Sequence, residues 1–172
     1  DMASAGTDPQ VADPSIGWDH SAPGWLQAMG EVGDATRQFV LDSPMLSALP
    51  STGSLLDIGC GEGRFCRLAA ARGLTVTGID PTRALLDEAR RHGGSARYVE
   101  GTAEALPFDD ASFDCAIFYM TLIDIPDFRA ALAEAIRVLK PGGRLLIGNL
   151  TPYVTARPRN WPGEGSHWVT EN

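Results

Sequence analysis

Two carboxylates set around a glycine turn carry the clearest chemical signal in the chain. Asp57 precedes Gly59, Gly61 and Gly63 in the stretch LDIGCGEG (56–63), and Asp80 follows Asp57 by 23 residues. Alternate glycines let a backbone approach a ligand closely and take angles that a Cβ forbids. If a helix starts just after them, its free N–H groups attract a carboxylate or a phosphate. Asp80 stands near the place where an acidic residue accepts both ribose hydroxyls in dinucleotide-binding folds. Asp57 argues against a pyrophosphate, because a carboxylate beneath the loop repels a dianion and suits a ligand carrying an ammonium and a sulfonium. Arg64 agrees, since it occupies the position of the last glycine in a dinucleotide G-x-G-x-x-G.

Such residues work only if regular elements hold them, and the middle of the chain supplies these. Ser54–Ile58 reads as a buried strand, Gly63–Arg72 as a helix stopped at Gly73, and Thr75–Ile79 as the next strand. Thr82–His92 puts Leu85, Leu86 and Ala89 on one helical face and stops at Gly93 and Gly94. Ala96–Glu100 and Phe113–Tyr119 are strand-like. Asp127–Lys140 carries Phe128, Leu132, Ala135 and Leu139 at helical spacing, and Arg144–Gly148 gives a fifth strand after the break at Pro141, Gly142 and Gly143. Strands alternating with single helices predict right-handed βαβ units and a mostly parallel sheet covered on both faces. Ligands of such sheets sit beyond the carboxyl ends of the strands, so the search narrows to the turns after Ile58, Ile79, Glu100 and Tyr119.

At those turns the chain resembles the class I S-adenosylmethionine-dependent methyltransferases. Leu55–Ala70 (LLDIGCGEGRFCRLAA) is similar to their first motif, and Gly78, Ile79 and Asp80 to their ribose motif. Gly101–Phe108 (GTAEALPF) resembles their adenine-side motif, Phe113 and Asp114 the start of their fourth strand, and Leu139–Ile147 (LKPGGRLLI) their fifth-strand signature. The resemblance covers about residues 52–150. It implies an α/β, three-layer Rossmann-like sandwich with strand order 3-2-1-4-5, and S-adenosylmethionine as cofactor. By the same likeness Gly59, Cys60 and Gly61 lie against its methionine part, with Asp57 orienting the loop and the ammonium. Asp80 holds the ribose, Pro81 touches the adenine, and Thr102 with the backbone of Ala103 faces the adenine edge. Many relatives carry Asp at the position of Thr102, so Glu104 is a second candidate for that bond. Phe118 and Tyr119, ending the fourth strand, border the methyl group.

Acceptor-side residues are named on weaker patterns. Tyr119 contacts a substrate or is a core tyrosine. Asp124 either takes a proton from the acceptor, as a catalytic residue, or caps the helix or turn before Pro126. Trp25–Val40 reads as a helix interrupted near Gly30 and Gly33, a segment that lids the cofactor in similar enzymes. Arg37 could there reach the methionine carboxylate and Trp18 or Trp25 wall the acceptor; an exposed arginine and a packing tryptophan are the plain alternatives. His20, His92 and His167 are scattered and receive no catalytic or metal role.

Composition bounds the rest. The 172 residues carry 14 Lys+Arg against 22 Asp+Glu, a net charge of −8. That acidic balance lacks the basic footprint that nucleic acid or an anionic membrane requires. No apolar run approaches the roughly 20 residues of a spanning helix, so a cytoplasmic protein is expected. Cys60, Cys66 and Cys115 fit neither a disulfide framework nor a zinc site and are expected to behave as small core hydrophobes. Three segments are expected: 1–50 as an N-terminal flank with cap helices, 51–150 as the cofactor-binding core, and 151–172 as an irregular tail. No convincing strand pair follows Gly148, so the family's usual sixth and seventh strands are expected to be missing. That would leave the fifth strand as an edge covered by the tail or by a second copy in a homodimer. The function so implied is methyl transfer to a small-molecule O, N or C acceptor. A cofactor-binding module without turnover is the first alternative, and a nicotinamide-dependent oxidoreductase, disfavoured by Asp57 and Arg64, the second.

Overall fold

In the computed structural model, residues 14–30 and 32–149 are described. Helix α1 spans Pro14–Met29, a π-helical turn spans Arg37–Leu41, and α2 spans Asp42–Ala48. The core follows as β1 (Ser54–Ile58), α3 (Arg64–Ala70), β2 (Thr75–Asp80), α4 (Arg83–Arg91), β3 (Arg97–Glu100), β4 (Phe113–Tyr119), α5 (Phe128–Val138) and β5 (Leu139–Gly148). The strands form one sheet in the order β3-β2-β1-β4-β5, every pair parallel, as the resemblance implies. Among the described residues no strand follows β5, and no helix is long and apolar enough to cross a membrane. The expected tail, with Trp161, His167 and Trp168, lies outside the described residues.

Alternation along the central strands divides the core into two layers. Leu55 of β1 and Cys115, Ile117 and Tyr119 of β4 face Phe65, Cys66 and Ala69 of α3. Leu56 and Ile58 of β1, with Ala116 and Phe118 of β4, face Ala131, Ala135 and Val138 of α5. Successive side chains of a strand point to opposite faces, so neighbours in sequence end in different layers. All three cysteines are free and buried, as expected of small hydrophobes.

Two elements differ from their predicted form. Helix α5 stops at Val138 and buries Ala131 and Val138 as well as Ala135 of the predicted stripe; Leu132 and Leu139 of that stripe pack against the same layer, and only Phe128 is exposed. Small alanines let the helix sit close to the sheet, and the larger phenylalanine is left at its outer end. Strand β5 begins at Leu139, before the Pro141–Gly143 break, because the ladder with β4 absorbs those residues as an irregularity between Phe113 and Cys115. Gly142 takes φ +79° within it, which a glycine tolerates.

Candidate functional site

A cleft of about 540 Å³ opens beyond the carboxyl ends of β1, β2 and β4. The glycine turn is its floor. Gly59, Gly61 and Gly63 all have positive φ, but only Gly61 has open space on its Cβ side. A Cβ on Gly59 would come within 2.6 Å of Thr121, and one on Gly63 within 2.3 Å of Tyr98, whereas at Gly61 the nearest atoms lie 3.9 Å away. The first and third glycines are therefore set by packing, and the middle one presents bare backbone to the cleft. The Cys60 sulfur turns away towards Gly78 and the Cys66 sulfur, leaving mainly its backbone at the turn.

Asp80 fixes this loop. Its carboxylate accepts from Gly61 N–H at 2.9 Å and from Thr82 N–H at 2.8 Å, and only 7% of the residue is exposed. The Thr82 hydroxyl is a third donor to it, so of the roughly four acceptor positions of an ionised carboxylate about one stays open to a ligand. Burial raises the Asp80 carboxyl above its usual range, and the two backbone donors with the Thr82 hydroxyl partly offset that.

Asp57 sits beneath the turn with 1% exposure. One oxygen accepts from the Cys66 thiol at 3.2 Å, while Oδ1 is buried with no hydrogen-bond partner among the described residues. Burial pushes its carboxyl up to about 7; the Cys66 bond opposes this, and the neighbouring Asp80 and Glu62 carboxylates add to it. The nearby guanidiniums are engaged elsewhere: Arg67 with Glu62 at 2.9 Å, Arg64 with Asp42 and Arg37 with Asp34. Among the described residues Asp57 therefore faces the cleft with no cation to balance it.

Pro81, Thr102, Ala103 and Glu104 line the wall next to β2 and β3, where the resemblance puts the adenine. Trp18 and Trp25 of α1, a helix that packs against α4, also line the cleft and meet edge to face at 6.1 Å. Arg37 also borders the cleft, its guanidinium 5.8 Å from the Trp25 ring centre and paired to Asp34.

Three sequence expectations need correction. Phe118 does not border the cleft: fully buried in the layer under α5, it faces away from Tyr119 because the strand alternates. The Tyr119 ring lines the cleft, stacked on Phe65 at 4.7 Å, but its hydroxyl is spent as a donor to Asp42 Oδ1 at 2.6 Å. Burial, and then Asp42, raise that phenol beyond use as a base at neutral pH, so it packs and positions rather than exchanging protons. Asp124 is not a helix cap, since Asp127 accepts from Ala130 N–H at 3.0 Å and caps α5. Asp124 instead lies on a short 3-10 turn, Leu122–Asp124, at the cleft wall, with no side-chain partner among the described residues. Partial burial against that wall raises its carboxyl.

Asp42, Thr121 and Asp34 escaped the sequence reading. Asp42 opens α2 before Ser43 and Pro44, a pattern that signals a helix start and says nothing of a distant partner. Thr121 donates to the Ile58 carbonyl at 3.0 Å and closes the gap beside Gly59, a contact fixed by the β1–β4 pairing.

A family described as "Methyltransferase domain" matches residues 56–147, more than half of the chain, and the chain belongs to that family. A malonyl-[acyl-carrier protein] O-methyltransferase of Serratia marcescens is 40% identical over 96 residues, 56% of this chain and 38% of that protein. The ubiquinone/menaquinone biosynthesis C-methyltransferase UbiE of Hahella chejuensis is 36% identical over 121 residues, 64% of this chain and 47% of its own length. Among solved structures, an S-adenosylmethionine-dependent methyltransferase from Mesorhizobium loti superposes with a TM-score of 0.61 at 29% identity, covering 72% of this chain and 57% of that one. The chain thus spans less than half the length of these two curated relatives.

Proposed function

We propose that the cleft binds S-adenosylmethionine and that the chain transfers its methyl group to a small-molecule O, N or C acceptor. The observation that carries this is Asp57: a buried carboxylate oxygen without a partner, under an open glycine turn and beside two further carboxylates. Such a floor favours a cationic nucleoside and penalises a dinucleotide's diphosphate. The volume of about 540 Å³ falls in the usual range for small-molecule sites, roughly 300–1,000 Å³. Names printed for the relatives, for a malonyl group on acyl carrier protein and for quinone biosynthesis, support O and C acceptors for this chain.

Each role follows from what the residue has free. Asp57 Oδ1 faces the methionine ammonium, and the bare backbone at Gly61 admits the methionine chain. The acceptor position left open on Asp80 takes a ribose hydroxyl, while Pro81, Thr102, Ala103 and Glu104 enclose the adenine. Arg37, which lines the cleft, would take the methionine carboxylate in exchange for Asp34. When bound, the cofactor supplies a methyl group on a sulfonium, whose leaving group needs no protonation. The protein's part is then orientation and exclusion of water, for which Trp18, Trp25 and the Phe65–Tyr119 stack provide apolar walls. Where the acceptor loses a proton, the Asp124 carboxylate receives it, its raised pKa making it the stronger base.

Calorimetry with S-adenosylmethionine, S-adenosylhomocysteine and NAD tests the site. Binding of the first two without NAD is expected, and preferential NAD binding overturns the reading. Transfer of labelled methyl groups to candidate quinols, phenols and thioester-linked carboxylates tests turnover; cofactor binding with no transfer to any acceptor returns the chain to a binding module.

A further inference from the structure

Arg64 is the first residue of α3, directly after the glycine turn, and its guanidinium reaches in three directions. Nε donates to the Val32 carbonyl at 2.6 Å, Nη1 to Asp42 Oδ1 at 3.0 Å, and Nη2 pairs with Asp42 Oδ2. Asp42 Oδ1 also accepts the Tyr119 hydroxyl at 2.6 Å. The Arg64 and Asp42 side chains are only 12% and 14% exposed, so this bidentate pair is shielded from solvent. Burial works against the charge on Asp42, but the bonds from Arg64 and Tyr119 win and hold its carboxyl below the usual value, keeping the pair ionised.

The pair, with Tyr119, joins three elements distant in sequence: the cap segment 32–41 with α2, the start of α3, and the end of β4. Gly33 shows how closely the arginine passes, since a Cβ there would lie 2.9 Å from Arg64 Nε, and its φ of +81° already excludes most side chains. Gly30, just after α1, also has a positive φ. The cap so held carries Arg37 at the cleft wall, and Trp25 comes within 4.0 Å of the Cβ position of Gly61. Arg64 and Tyr119 border the cleft, whereas Asp42 does not.

We propose that Arg64, Asp42 and Tyr119 form a positioning clasp that locks the N-terminal cap over the nucleoside cleft and thereby sets how long the cofactor stays bound. The clasp rests on the cofactor reading given above. Asp42 acts only through its partners: it tethers the cap to the helix that begins at the ligand's floor and fixes the Tyr119 ring in the opposite wall. Opening the clasp leaves the floor carboxylates in place and removes the roof.

The test uses Asp42→Ala, which spares every residue of the cleft, with Arg64→Lys and Tyr119→Phe as milder changes that keep the charge and the ring. Amide hydrogen exchange and S-adenosylhomocysteine binding are measured on each. In Asp42→Ala, exchange should speed up over residues 30–41 while β1 and β4 stay protected, and the dissociation constant should rise about tenfold if the closed fraction falls to a tenth. Most of that rise should lie in the dissociation rate. Tyr119→Phe, missing one bond, should fall between wild type and Asp42→Ala, and Arg64→Lys, retaining one charge contact, should recover part of the affinity lost in Arg64→Leu. Unchanged affinity in Asp42→Ala, or protection lost evenly across β1 and β4, overturns the clasp. Should Asp42→Ala fail to fold, Tyr119→Phe and Arg64→Lys decide by the same two readouts. Wild type that binds no S-adenosylhomocysteine sinks the cofactor reading instead, and local exchange in residues 30–41 still judges the clasp.

Discussion

Asp57 and Asp80 are both buried carboxylates at the ends of neighbouring strands, yet they do different work. Asp80 has two backbone donors and organises the loop; Asp57 has one weak thiol donor and an orphan oxygen. A folded-state pKa near 7 against roughly 3.9 in an unfolded chain means that the folded protein holds a proton between these values which the unfolded one has lost. This stabilising contribution is complete below about pH 4 and disappears as pH climbs through 7. Urea unfolding of wild type and Asp57→Asn should therefore give a stability difference that shifts against wild type between pH 5 and pH 8, and a constant difference would show that Asp57 does not titrate there. Asp80→Ala removes the carboxylate proposed to hold the ribose, along with its two loop contacts, and should weaken S-adenosylhomocysteine binding by about 1–3 kcal/mol. Calorimetry reads it directly, and unchanged affinity takes Asp80 out of the site.

At the scale of elements, the end of β4 shows how an alternating strand assigns roles. Tyr119 and Phe118 are adjacent aromatics, and a sequence reading treats them alike. In the folded chain Tyr119 faces the cleft while Phe118, 0% exposed, fills the layer between the sheet and α5. Phe118→Ala should thus cost about 3–5 kcal/mol of stability through the cavity it leaves. Thermal or urea denaturation gives that number, and at temperatures where the variant is folded its cofactor affinity should match wild type. The inverse result, full stability with lost affinity, would place Phe118 in the site after all. Helix α5 teaches a related point. Its predicted stripe meets the sheet at Leu132, Ala135 and Leu139, and Ala131 and Val138 widen that face where small side chains allow close approach, while Phe128 at the helix start stays exposed.

For the molecule as a whole, the cleft is a joint product of the N-terminal flank and the Rossmann-like core. The floor comes from β1, β2 and β4, and the roof from α1 and the cap, so no 50-residue segment contains the site. β5 has no outer strand among the described residues, and Ile147 and Ile136 are 46% and 64% exposed on it and on α5. Exposed apolar side chains invite association, and a second copy of the chain is proposed to cover this face. Sedimentation at several concentrations should show a mass that rises with concentration, and Ile147→Lys together with Ile136→Lys should suppress that rise. A wild-type mass independent of concentration would show that no second copy covers this edge.

Local chemistry was legible in the sequence wherever one short stretch carries it. The glycine turn, Asp57, Asp80 and the alternation of strands with helices are written in nearby residues, because turn angles, strand periodicity and helix spacing are properties of a few consecutive positions. The strand order also followed, through resemblance to a family that repeats these motifs in this sequence. Tertiary structure alone decided the direction of Phe118, the engagement of the Tyr119 hydroxyl, the choice of Asp127 over Asp124 as the α5 cap, and the bridge from Asp42 to Arg64. The long-range contacts among these join residues tens of positions apart, and such a contact depends on how elements cross in space, which periodicity along the chain does not encode.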